Sequence, residues 1–129
     1  MDLCVWTKLD FDEIPPWLVA AARSEKAFIT EVGTYWAFKD AEGIAAVIGF
    51  VWHSRTHVRV RGHYVPPALR GLHYGSESLD RLIEEARAQG AERMTAAVKP
   101  WLVEMYERRG FVPRREYADG EIEVERRGL

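Results

Sequence analysis

Apolar positions along the chain change their spacing several times, and each change marks an element. Leu3-Cys4-Val5-Trp6 reads as an opening strand. Asp10 or Asp12 then caps a short helix with Pro15 and Pro16 early in it, and Trp17, Leu18, Ala21 and Ala22 share its apolar face. Thr34 to Lys39 and Ile44 to His53 are β-type runs joined by Asp40-Ala41-Glu42-Gly43, a hairpin signal. His57 to Val65 alternates polar and apolar residues and reads as a further strand, which Pro66-Pro67 stops. A helix follows from about Ser76 to Gln89, with Leu79, Leu82, Ile83 and Ala86 on one face and Gly90 at its end. Met94 to Val98 is a short buried strand, and Trp101 to Arg109 a second helix ended by Gly110. Phe111 to Tyr117 and Glu121 to Glu125 form a last hairpin around Asp119-Gly120. The order β-α-β-β-β-α-β-α-β-β predicts a mixed α/β layer fold with one domain over 1–129 and only a short helical region near its N-terminus.

With 129 residues, 47 % of them hydrophobic, the chain can close a core, and 12 % aromatic content excludes disorder as its dominant state. The longest apolar stretch, Ile44 to Trp52, is far short of the roughly 20 residues a spanning helix needs. No secretory signal is evident, and the single Cys4 cannot pair internally, so a cytoplasmic protein is expected with no membrane partner. Cys4 reads as a small buried hydrophobe and not as a nucleophile. Charge divides unevenly. Residues 1–54 carry eight acids and four bases, whereas 55–129 carry twelve acids and fourteen bases, including thirteen of the fourteen arginines. Arginine grips phosphate and carboxylate bidentately, so an anion-binding half is expected, while a net charge of −2 argues against a generic nucleic-acid coater. His53, His57 and His63 have no standard zinc spacing, and no metal site is expected from them. The aromatic set Trp36, Trp52, Tyr64 and Trp101 reads as core packing ahead of base stacking.

The most informative stretch, Val65-Pro66-Pro67-Ala68-Leu69-Arg70-Gly71-Leu72-His73-Tyr74-Gly75-Ser76, lies between a strand and a helix start. There the first backbone N–H groups lack helical partners and the macrodipole is positive, so glycine-assisted bends can converge donors on a pyrophosphate. Val65, Pro67, Arg70, Gly71, Gly75, Ser76 and Leu79 fall on the spacing Val-x-Pro-x-x-Arg-Gly-x-Gly-x-Gly-Ser followed by a leucine-bearing helix. Near the C-terminus, Tyr106-Glu107-Arg108-Arg109-Gly110-Phe111 matches Tyr-Glu-x-x-Gly-Phe. In these motifs and in its element order the chain resembles the GNAT superfamily of acyl-CoA-dependent N-acyltransferases. The resemblance implies a GNAT-like mixed central sheet with flanking helices and acyl-CoA, most simply acetyl-CoA, as donor. It places the pyrophosphate on Arg70, Gly71, His73, Gly75 and Ser76, a carbonyl-polarising backbone N–H at Val65, and Tyr106 as the acid for the departing thiolate. Two positions depart from the family pattern: His73 replaces the loop's central glycine, and Lys99 stands where an asparagine is usual.

The strand before the loop carries the acceptor chemistry. His57, Arg59, Arg61 and His63 alternate onto one face, opposite Val58, Val60 and Tyr64. They must meet a cleft, water or an anion, because burying them unpaired is costly; Glu31, Asp40 and Glu42 are the alternative partners. His57 lies where some family members place a base, and its ordinary pKa near 6.5 suits the task. Arg59, Arg61 and His63 become candidate substrate contacts. The short region before Thr34 leaves the acceptor cleft weakly walled, which favours a bulky or anionic amine, a macromolecule included, or completion by a homodimer partner. Three readings stay open: an N-acyltransferase acting on an amine acceptor, a GNAT-like nucleic-acid modifier resembling the Mom-type adenine-modifying enzymes of DNA, and a non-catalytic binding module on the same fold.

Overall fold

The computed structural model describes residues 4–129. Strands β1 (Val5–Leu9), β2 (Thr34–Asp40), β3 (Gly43–Trp52), β4 (His57–Tyr64), β5 (Arg93–Val98), β6 (Val112–Glu116) and β7 (Ile122–Arg127) form one mixed sheet in the order β1-β2-β3-β4-β5-β7-β6. Helices α1 (Pro16–Ser24), α2 (Tyr74–Ala88) and α3 (Val103–Glu107) are interspersed as the periodicity predicts. Two compact units emerge. The first takes residues up to Val51 with Arg61–Leu82, and the second takes Trp52–Val60 with Ile83–Leu129, so β4 and α2 each contribute to both.

In the first unit β2 is covered on both faces, as its unbroken apolar run requires. Tyr35 and Ala37 join Leu18 and Ala22 of α1, Leu9, Ile14, Ile29, Val47 and Tyr64 in one buried cluster. The alternate residues Trp36 and Phe38 face the other way, into an aromatic layer. There Trp6 stacks on Trp36 at 6.4 Å, and Phe38 lies 5.0 Å from Trp6 and 6.4 Å from Tyr74. In the second unit β5 runs parallel to β4, with His57 opposite Arg93 and Arg59 opposite Thr95, and antiparallel to β7, with Thr95 opposite Glu125. Val58, Met94, Ala96 and Val124 are buried, so one face of this part of the sheet is apolar and the other polar.

Four expectations shift. The first strand runs Val5–Leu9 and not Leu3–Trp6, because its pairing with β2, Val5 opposite Lys39 through Leu9 opposite Tyr35, carries it on to a buried Leu9; Leu3 lies outside the described residues. The cap at Asp10 opens a separate 3-10 turn, Phe11–Glu13, in which the Asp10 N–H donates to the Glu13 carboxylate at 2.8 Å. Pro100 starts another 3-10 turn, leaving α3 five residues long where the sequence suggested nine. Of the aromatic set, Trp36 and Tyr64 are core, but Trp52 is 40 % and Trp101 77 % exposed.

Gly62 interrupts β4 with a φ of +61°, a conformation costly for any residue with a side chain. A Cβ there would come 2.7 Å from Ile29 Cγ1 and 3.0 Å from the Tyr35 ring. We therefore expect Gly62→Ala to lose about 2 kcal/mol of stability from backbone strain and crowding together, measured as a lower urea midpoint. An unchanged midpoint would show that the strand relaxes there freely.

Candidate active site

In the first unit the loop between β4 and α2 is built on its own backbone. Pro67–Leu69 make a 3-10 turn, and Gly71 follows at φ +82°. His73 has a φ of +70°, the left-handed conformation that glycine accepts most readily. The sequence departure at this position therefore leaves the bend in place: the imidazole is exposed and the backbone keeps a glycine-like turn. Glu77 N closes the first recorded turn onto His73 O at 3.0 Å, and Ser76 Oγ donates to the same oxygen at 3.1 Å. Gly75 and Ser76 keep N–H groups with no acceptor within the helix, and a Cβ built at Gly71 meets nothing within 4 Å. This backbone fits a diphosphate.

Arg70 holds the loop together. Its Nε donates to the Val65 carbonyl at 2.9 Å, its Nη2 reaches both Glu25 oxygens at 2.8 and 2.9 Å, and its guanidinium lies 5.5 Å from the Tyr64 ring centre. Its charge thus tethers the loop to the segment after α1. His63, expected to face a substrate, instead turns to the loop: its Nε2 donates to the Gly75 carbonyl at 3.0 Å and lies 3.2 Å from Ser78 Oγ, which itself donates to Gly75 O at 2.8 Å. Because a carbonyl only accepts, this contact fixes the Nε2–H form of His63. Arg61 is half-buried and has no ion pair among the described residues.

In the second unit the polar sheet face carries His57 and Arg59. Arg59 makes a two-pronged pair with Glu123 on β7, both contacts 2.9 Å, and not with Glu31, Asp40 or Glu42. Tyr117 Oη also donates to Glu123, at 2.8 Å. Burial alone would raise the Glu123 carboxyl, but the Arg59 and Tyr117 hydrogen bonds reverse this and hold it below the usual range. Thr95, a buried hydroxyl between Met94 and Ala96, lies 3.1 Å from Arg59 Nη1 and 2.8 Å from His57 Nε2. Arg59 can only donate, so one lone pair of the Thr95 oxygen is taken and His57 is anchored through the same atom. Desolvation first, then the charge of Arg93, the neighbouring His53 ring and the charge of Arg59, lower the His57 pKa. Neither Thr95 nor Glu123 was singled out from the sequence. The lone hydroxyl amid Met94, Ala96 and Val98 was the available signal for Thr95.

Tyr106 is fully buried on α3, its ring edge-on to Phe111 at 5.1 Å, and burial pushes its phenol well above the ordinary value. Lys99 pairs with Glu121 at 3.2 Å. His53 lies 5.2 Å from the His57 ring, and no group of three His, Cys, Asp or Glu side chains disposed to hold a metal occurs among the described residues.

A lowered pKa keeps His57 uncharged at neutral pH. Between the folded value and 6.5 the unfolded chain binds more protons, so this group's contribution to stability is full above pH 6.5 and is lost as pH falls towards the folded pKa. An NMR titration should find the His57 midpoint below 6.5, and Arg93→Gln should raise it by removing a nearby cation. A midpoint above 6.5 would contradict this electrostatic picture.

Comparisons with known proteins agree with these motifs. The profile of the Acetyltransferase (GNAT) family matches residues 3–111. No curated protein matches. Among solved structures, the IAA acetyltransferase of Bacillus cereus is similar with a TM-score of 0.82 at 15 % identity, over 97 % of this chain and 99 % of that one. Rv2747 of Mycobacterium tuberculosis, solved in complex with CoA and NLQ, is similar with a TM-score of 0.78 at 14 % identity, over 97 % and 99 %. The N-acetylglutamate synthase of Neisseria gonorrhoeae, complexed with coenzyme A and N-acetyl-glutamate, gives 0.79 at 14 % identity, over all of this chain and 36 % of that one. With the family pattern spanning most of its length and both motifs in place, the chain belongs to the acetyltransferase (GNAT) family and is an acyltransferase.

Proposed function

We propose that the protein transfers an acetyl group from acetyl-CoA to the amine of a bulky or anionic acceptor. The observation that carries this reading is the loop at 70–76, which keeps left-handed turns at Gly71 and His73 ahead of α2 although His73 is not glycine. The N–H groups of Gly71, His73, Gly75 and Ser76 then receive the cofactor's pyrophosphate, with Arg70 and His63 fixing the loop from either side. The Val65 backbone polarises the thioester carbonyl, as the family resemblance implies.

His57 takes the base role in this reading. Its neutral imidazole accepts a proton from the attacking amine as the C–N bond forms and the C–S bond breaks. Thr95 contributes by fixing the ring's orientation through Nε2, and in the tautomer in which Nε2–H donates to the Thr95 oxygen the proton acceptor is Nδ1. Tyr106 enters as a hydrogen-bond donor to the departing sulfur. Its raised pKa keeps the phenol protonated across the working range, and the thiolate takes its proton finally from solvent. Arg61, without an ion pair among the described residues, is the cation of β4 left to meet an anionic acceptor. Much of the rate gain in such a reaction comes from aligning amine and thioester.

Calorimetric titration with acetyl-CoA, with free CoA as control, tests the donor. Saturable binding with a Kd on the order of micromolar is expected. Because the backbone bend already exists, His73→Gly should leave that Kd within about threefold while raising stability by about 1 kcal/mol from relief of strain. A gain in affinity of more than about tenfold would show instead that the imidazole crowds the pyrophosphate.

The base assignment is tested by kinetics. His57→Gln should lower kcat/KM by about a hundredfold and remove the acid limb of its pH profile, whose midpoint should lie below 6.5. An unchanged acid limb would remove His57 from the mechanism.

A further inference from the structure

The second unit's polar sheet face holds a cationic cluster that the acyl-transfer reading does not use. Glu125, 5 % exposed, receives three arginines: Arg93 through Nε, Arg114 through Nε at 2.9 Å and Arg127 through Nε at 3.4 Å. These guanidinium-bearing side chains are 42 %, 50 % and 72 % exposed. None has a recorded protein partner for its terminal Nη groups among the described residues, so the forked ends that grip an oxyanion are left open. One carboxylate against three guanidiniums leaves a local excess of two positive charges. Glu125 therefore gathers like charges that would otherwise separate, and a second anion would relieve their repulsion. Holding the three heads in advance also reduces the ordering cost of binding it.

The register puts this cluster beside the proposed base. His57 is opposite Arg93, and Arg93 is opposite Arg127, so the three share one cross-strand row on one face. Glu125, opposite Thr95, lies in the next row. An anion held by Arg93 and Arg127 would thus sit within two or three strand spacings of His57, each about 4.8 Å.

We propose that Arg93, Arg114 and Arg127, gathered by Glu125, form a docking site for a carboxylate of the acyl acceptor. The inference rests on the reading of His57 as the base of an amine acceptor and names a feature of that acceptor. A short carboxylate-bearing peptide fits better than a nucleic acid. The cations converge on one point, and the same hairpin carries Glu116, Asp119, Glu121 and Glu123, which an extended run of phosphates would have to pass.

The test is a binding measurement without acyl-CoA, so a failure of the catalytic reading and a failure of the docking site are separable. The full chain is titrated at low salt with the peptides Ser-Glu-Glu-Glu and Ser-Gln-Gln-Gln and with a single-stranded 12-mer DNA. The glutamate peptide should bind on the order of tenfold more tightly than the glutamine peptide, and the preference should fade as salt rises. In Arg114→Gln/Arg127→Gln, which leaves Arg93 to pair Glu125, that preference should disappear at an unchanged melting temperature. Equal binding of the two peptides by the wild-type chain would overturn the proposal even if the double variant fails to fold. So would an undiminished preference in a folded variant, or DNA outcompeting the glutamate peptide.

Discussion

A strand in the middle of a sheet can carry an ionisable residue at every second position only if the fold supplies each one with a partner. β4 carries four, His57, Arg59, Arg61 and His63, alternating against Val58, Val60, Gly62 and Tyr64, and three of them are met by partners in the fold. Much of the candidate chemistry follows from how that demand is met. Thr95 anchors His57, Glu123 takes the fork of Arg59, and the Gly75 carbonyl takes His63. Arg61 alone of the four has no ion pair or hydrogen bond recorded among the described residues. The buried faces of the same strand, Val58 and Val60 in one unit and Tyr64 in the other, belong to ordinary apolar packing. Polarity on one side and packing on the other are thus one alternation along a single strand.

The partnerships also sort the arginines by task. Arg59 is nearly enclosed and two-pronged, so its charge is spent inside the protein and its removal would strand Glu123. Arg70 is exposed but tied at three points, acting on the shape of the loop more than on anything bound there. Arg93, Arg114 and Arg127 each commit one nitrogen. Sequence alone shows fourteen similar side chains; geometry distinguishes cross-links from cations with capacity to spare.

The order of strands and helices was legible because periodicity reports burial directly, and the stretch 57–64 announced its two faces as clearly as any. The loop was legible through Gly71 and Gly75, whose spacing ahead of an amphipathic helix carries its own mechanics. What sequence did not disclose were long-range pairings. Arg59 and Glu123 are 64 residues apart, and nothing local separates that glutamate from Glu31, Asp40 or Glu42. Tyr74 shows a related limit: reading it as loop placed the helix start at Ser76, but its ring is buried beside Phe38 and the first turn forms around it. Trp101 shows the converse, since aromatic character suggested core and a proline-led 3-10 turn left it outside.

His73 has a consequence for which residues its position can accept. A left-handed backbone there admits glycine freely and asparagine, aspartate or histidine at modest cost, whereas valine, isoleucine and threonine clash with their own main chain. The position is thus closed to branched side chains by backbone geometry alone, whatever ligand the loop holds. It can exchange a bare turn for one bearing a titratable ring without rebuilding the cradle, so this protein's departure from the family pattern is a substitution the fold was already shaped to receive.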